Sequence, residues 1–185
     1  VNASRARIDR LSATVLELVE EAAVIGDELR IATLSLVDGR SDAELEPLLD
    51  EAVRGGILSI QGLSRGEDCR FQHSILRHVI YDSIAPQRKR RLHASAAAAT
   101  EQLYARDRER VAEAVSAHWA AAGDARRTFE SSLYAWDVAI GRSEWRKAAA
   151  LIERADEAAA ELTLSGSERV RLLVAKGEAS LAKGD

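Results

Sequence analysis

The hydrophobic period of this chain changes twice, and those changes bound what it can fold into. Up to Gly55-Gly56 the apolar residues recur at three- and four-residue steps, as on helices with one buried face. Past that glycine pair the period falls to about two. Leu58 and Ile60 alternate with Ser59 and Gln61, and Cys69 and Phe71 alternate with Arg70 and Gln72. Gly62 to Asp68, polar and glycine-bearing, lies between them, so the segment reads as a β-hairpin. Beyond it the helical period returns and holds to the end.

Three helices are expected before the hairpin. Ile8, Leu11, Val15, Leu18, Val19, Ala22 and Ile25 share one face of the first, which Gly26 stops. A short second helix covers Ile31 to Val37 and ends at Asp38-Gly39. The third opens at Ser41-Asp42-Ala43-Glu44, a capping box in which serine and glutamate each satisfy a free backbone N–H. Leu45, Leu48, Leu49, Ala52 and Val53 form its apolar stripe. Pro47 falls past its first turn, so either the helix kinks there or its regular part starts near Glu46. Three helices followed by a hairpin is the winged-helix layout.

After the hairpin, Ile75, Leu76, Val79, Ile80 and Ile84 make the inner face of one helix, and Pro86 opens the next, where its missing N–H costs little. Ala94 to Ala99 favours helix and close helix–helix approach. Short turns at Gly123-Asp124, Gly141-Arg142-Ser143 and Ser165-Gly166-Ser167 separate further helices. One buried stripe is Phe129, Leu133, Trp136 and Ile140; another is Trp145, Ala148, Ile152, Ala155 and Leu162. The small residues after Trp145 resemble the second helix of a tetratricopeptide (TPR) repeat, although Gly141 and Gly184 lie further apart than the roughly 34 residues of that repeat. The expected fold class is therefore mainly α: a winged-helix domain over residues 1–85, then a TPR-like antiparallel helical array over 86–185. Such an array needs a neighbour to cover its last apolar face.

Composition narrows the function. The 185 residues carry 26 Lys+Arg against 30 Asp+Glu, a net charge of -4 that gives no global attraction to nucleic acid or anionic membrane. No apolar run is long enough to span a bilayer and no signal peptide is visible. The single cysteine, Cys69, forms no internal disulfide and fits a reducing compartment, so the cytoplasm is the expected location. There is no methionine and the chain opens at Val1, which reads as a piece of something longer. A Gly-x4-Gly-Lys-Ser/Thr loop, a Gly-x-Ser-x-Gly elbow and zinc-spaced Cys/His pairs are all missing, so no enzyme, no metal site and no cofactor is expected in this piece.

The run from Phe71-Gln72-His73-Ser74-Ile75-Leu76 through Pro86 into Arg88-Lys89-Arg90-Arg91-Leu92-His93 resembles the end of the winged-helix domain in bacterial STAND-class signal-transduction ATPases, next to LuxR-type and cyclase-linked regulators. The resemblance covers about Ile8 to Leu162 and rests on the Phe-x-His-x-Leu pattern at the strand-to-helix junction. It also looks like the MHD motif of related immune and apoptotic ATPases, with Gln72 for methionine and Ser74 for aspartate. It implies a nucleotide-binding domain upstream in the same chain, with ADP or ATP held there, and a histidine, here His73, touching the β-phosphate of ADP. It further implies a protein or peptide partner on the helical array and a part in transcriptional regulation.

Bland readings stand beside each candidate. His73 caps the following helix or packs on the hairpin. Arg88, Lys89, Arg90 and Arg91 form a phosphate-binding patch or a solvated face with internal salt bridges. His78 and Asp82, four apart, share a helix-surface hydrogen bond rather than a metal. Trp119, Trp136 and Trp145 pack in helical cores. Against a DNA-reading winged helix stand Asp42, Glu44, Glu46, Asp50 and Glu51, opposed by Arg54 alone. A direct DNA-binding transcription factor and a structural adaptor without nucleotide control are the alternatives.

Overall fold

The computed structural model describes residue 5, residues 7–61 and residues 68–183. The chain is mainly helical with one small three-stranded sheet, and it divides into two compact units, Val1–Ala99 and Thr100–Asp185.

In the first unit the order is α1 (Ala13–Ile25), β1 (Glu28–Arg30), α2 (Ile31–Asp38), α3 (Asp42–Arg54), β2 (Leu58–Gln61), β3 (Asp68–Phe71), α4 (Ser74–Ser83) and the start of α5 (Pro86–Leu103). Helix α1 begins later than the apolar spacing suggests. Ser12 takes the N-cap position, its hydroxyl accepting from the Val15 N–H, so Ile8 and Leu11 lie ahead of the helix and pack on the core from there. Val15, Leu18, Val19, Ala22 and Ala23 are fully buried, and α2, α3 and α4 pack around them. Helix α2 ends as expected, with Gly39 in the left-handed conformation its position needs (φ 86°).

The Ser41–Glu44 capping box forms, and α3 runs unbroken from Asp42 with Pro47 inside it. The regular part therefore does not wait for Glu46; the one intrahelical bond a proline cannot make, to the Ala43 carbonyl, is forgone. Leu45, Leu49 and Ala52 face the core, while Asp42, Glu44, Glu46 and Asp50 are exposed.

The expected hairpin forms, with Leu58 opposite Phe71 and Ile60 opposite Cys69, and Leu58, Cys69 and Phe71 are buried. Its loop, residues 62–67, lies outside the described residues. A third strand was not legible. β1 pairs antiparallel with β3, Leu29 opposite Cys69, giving the order β1-β3-β2. Only Leu29 of that strand faces inward, too short a pattern to register as a strand in sequence.

On α4 the inner face is Leu76 and Ile80, with Ile84 buried just past its end. Ile75, expected on that face, is instead 49% exposed. The units divide inside α5 rather than at Pro86. Leu92 and Ala96 of α5 pack with Val24 and Ile84, which ties the first part of that helix to the first unit.

The second unit holds the end of α5, a 3₁₀ turn (Arg108–Arg110), α6 (Ala112–Ala122), α7 (Ala125–Gly141), α8 (Trp145–Ala159) and α9 (Gly166–Lys183). Sequence neighbours among α6 to α9 pack on one another, α7 and α8 most extensively, as short connections dictate. Phe129, Leu133 and Trp136 of α7 are buried with Ala148, Ile152 and Ala155 of α8. Trp145 is the exception to its expected stripe: at the first position of α8 it lies outside the packed part and is 49% exposed. A polar thread ties three helices. The Ser116 hydroxyl lies 2.8 Å from that of Ser132, and the Arg154 guanidinium donates to Ser116 at 2.9 Å, with both serines fully buried.

Candidate functional site

In the first unit the chemistry-bearing residues gather at the β3–α4 junction and the start of α5. His73 is the N-cap residue of α4, in extended backbone (φ -141°, ψ 130°); its carbonyl accepts from the Leu76 N–H. Its side chain makes no capping hydrogen bond and is exposed. The capping role considered for the imidazole is thus not taken, and Ile75, two residues on, is exposed as well. A helix N-terminus with its unpaired N–H groups favours an anion.

The basic run does not act as one patch, because helical spacing sends its members to different faces. Arg88 turns inward: its Nε lies 2.9 Å from Glu20 Oε2, an ion pair whose angle is not that of a hydrogen bond. The Lys89 ammonium sits 4.4 Å from the centre of the Tyr81 ring. Arg90 and Arg91 are exposed. The Tyr81 hydroxyl also lies 2.9 Å from Nε2 of the buried His93. Burial first, then the charges of Arg77 and Lys89, hold the His93 imidazole below its ordinary range. His78 hydrogen-bonds through Nδ1 to the Ser74 carbonyl at 2.7 Å, one turn back, so Asp82 is not its partner.

One feature of this unit gave no signal in the sequence. The Glu21 carboxyl, on α1, meets that of Asp38 at the end of α2. Asp38 is ion-paired with Arg40 at 2.8 Å and its side chain is 3% exposed. Glu21 Oε2 is buried without a hydrogen-bond donor. Two acceptors in contact become a hydrogen bond only with a proton between them. Burial, then Asp38, accordingly push Glu21 up to about 8.

The second unit contains a cleft of about 260 Å³ between α6 and α7, closed at one side by the end of α5. Its apolar wall is Val111, Val115 and Trp119. The Arg127 guanidinium lies 4.3 Å from the Trp119 ring centre, and that of Arg108 5.1 Å from the ring of Tyr134. The Trp119 indole N–H donates to Glu101 at 3.5 Å. These residues are scattered over three elements with no local motif, and only Trp119 had been singled out, as packing; it is indeed buried, as is Trp136. Elsewhere in this unit α9 presents Val170, Leu173, Val174 and Leu181, each more than half exposed, along one face.

Among the described residues no cluster of three or more His, Cys, Asp or Glu side chains could hold a metal ion, and no helix is long and apolar enough to cross a membrane. No family model matches the chain, and neither a curated protein nor a solved structure does.

Proposed function

We propose that this chain is the winged-helix and TPR-like part of a nucleotide-controlled signal-transduction ATPase of the STAND class, serving as a regulatory module rather than as the catalyst. The order of elements around α1, with β1 joining the hairpin, supports the winged-helix reading of the first unit. The serial packing of α6 to α9 supports the TPR-like reading of the second.

The observation that carries the functional reading is the exposed imidazole of His73 at the N-terminus of α4, which makes no capping bond and no side-chain hydrogen bond among the described residues, two positions before the exposed Ile75. A buried or capping histidine is occupied by its own fold. This one is free to donate to a phosphate oxygen on an upstream nucleotide-binding domain, with Ile75 as the adjoining apolar contact. ADP or ATP belongs to that domain, and this part of the chain reads its state. The second unit takes the partner, whose binding shifts the closed–open equilibrium by its differential affinity for the two states. The output in this reading is transcriptional regulation. The exposed acids of α3 and the internal use of Arg88 and Lys89 speak against a direct DNA reader.

The test is the nucleotide content and basal activity of the full-length gene product, wild type against His73→Ala. Retention of ADP by the wild type, with loss of it or signal-free activation in the variant, is the expected result. Equal retention and equal activity refute the role of His73. A full-length product carrying no nucleotide refutes the ATPase reading itself.

A further inference from the structure

We infer that the Glu21 carboxyl is a proton-operated toggle: with its proton it is bonded to Asp38 at the end of α2, and without it to Arg88 on α5. The inference is confined to the first unit and owes nothing to His73.

Three helices meet at this place. One apolar cluster joins Val24 of α1, one turn on from Glu21, with Val37 of α2 and with Leu92 and Ala96 of α5. Asp38 is held by Arg40, whose guanidinium lies 2.8 Å away and whose backbone N–H donates to Oδ1 at 3.2 Å. The contact between the Asp38 and Glu21 carboxyls becomes a hydrogen bond only when Glu21 supplies the proton.

The same cluster holds an unused acceptor and an unused donor. Glu21 Oε2 is buried with no donor, and Arg88 Nε is buried with no acceptor at hydrogen-bond angle. Folded proteins leave few such atoms, so a pair of them in one cluster calls for a reason. Arg88 Nε lies 2.9 Å from Glu20 Oε2 as an ion pair only, and the Arg88 charge also acts on Glu21.

Charge balance sets the order of events. With Glu21 neutral, the acids Glu20 and Asp38 face the bases Arg88 and Arg40. Loss of the Glu21 proton to solvent adds a third carboxylate against the same two bases. Two carboxylates in contact repel. Arginine keeps its charge and can serve two carboxylates through separate N–H groups. The ionised Glu21 therefore leaves Asp38 and takes the Nε–H of Arg88, so α1 loses a bond to α2 and gains one to α5. Burial and Asp38 hold the Glu21 pKa far above the carboxylate range, against the opposing pull of Arg88 and Arg40. Charged groups on the other elements around α1 are engaged elsewhere or exposed. Arg77 of α4 donates to the Ala23 carbonyl at 2.9 Å and pairs with Asp27. On α3, Asp42, Glu44, Glu46 and Asp50 are exposed, and Glu51 accepts from the Ser12 N–H.

The experiment is an NMR titration of the isotope-labelled full chain from about pH 5 to about pH 9.5. It follows the Glu21 carboxyl carbon and the Arg88 Nε nitrogen, the latter read through Cζ so that exchange with water does not erase it. Glu21→Gln and Arg88→Gln assign the signals, and circular dichroism verifies that both variants keep the wild-type fold. The expected result is one shared midpoint for Glu21 and Arg88, well above the carboxylate range. Glu21→Gln is expected to abolish the Arg88 step, and Arg88→Gln to raise the Glu21 midpoint by about one pH unit or more. A Glu21 midpoint in the ordinary carboxylate range overturns the inference. So does a high midpoint during which the Arg88 signal stays still, or an Arg88 step that persists in Glu21→Gln. The wild type and Glu21→Gln decide the matter even where Arg88→Gln fails to fold.

Discussion

Replacing Glu21 by glutamine is expected to remove a pH dependence from the first unit. In the folded chain burial and the Asp38 carboxyl move the Glu21 pKa from its ordinary 4.5 to about 8. Between those values the folded state holds a proton that the unfolded state has released. The contribution is therefore complete below pH 4.5 and is lost as pH rises toward 8. The displacement, at about 1.4 kcal/mol per pH unit, sets a ceiling of roughly 5 kcal/mol. The Glu21 side chain is only partly buried, and solvent screening cuts that to about 2 kcal/mol. In Glu21→Gln the carboxamide donates to Asp38 at every pH, so the slope vanishes. The assay is urea unfolding followed by circular dichroism at pH 5, 6.5 and 8, wild type against variant. His93 works in the opposite sense, its depressed value costing stability as pH falls below its ordinary 6.5. Because both proteins carry it, it cancels in the difference. The three tryptophans, Trp119, Trp136 and Trp145, all belong to the second unit, so a transition seen by dichroism but not by tryptophan fluorescence belongs to the first. Parallel pH profiles for the two proteins would refute the shared-proton account.

Three further outcomes follow from side-chain environments. His73→Ala should leave the unfolding free energy from urea titration within about 0.5 kcal/mol of wild type, since an exposed imidazole without a capping bond contributes little to the fold; a loss above about 1 kcal/mol would make it structural. Ser116→Ala should cost about 1–3 kcal/mol by tryptophan fluorescence, because it strands the buried Ser132 hydroxyl and the Arg154 donor together. Cys69, fully buried and with its thiol pushed up to about 12 by burial, should resist a disulfide reagent at pH 8 in the native chain and react in urea.

The placement of the helices and the hairpin was legible because each depends on neighbours in sequence. A capping box at Ser41–Glu44, glycine stops at Gly39 and Gly123, and the alternation through Leu58 and Phe71 are local devices, and a local device leaves a local trace. Where the signal was read too broadly, a local competitor won. Ser12 capped α1 after Leu11, and helix geometry turned Ile75 and Trp145 outward although each sat at the edge of an apolar stripe.

The candidate site was legible in part. The Phe71–His73 junction stood out as a motif, and the chain itself fixed that His73 precedes a helix. Whether its imidazole would be consumed by a cap or left open depended on side-chain geometry that no spacing encodes. The basic run illustrates the same limit: four consecutive bases look alike in sequence, yet Arg88 meets Glu20 and Lys89 meets Tyr81 only because α1 and α4 pass beside α5. The pairing of β1 with β3, the meeting of the Glu21 and Asp38 carboxyls, and the arginines beside the rings of Trp119 and Tyr134 join residues from separate elements. Periodicity states which face of each element is buried. Which faces meet is decided by packing, and the chemistry of this chain sits where they meet.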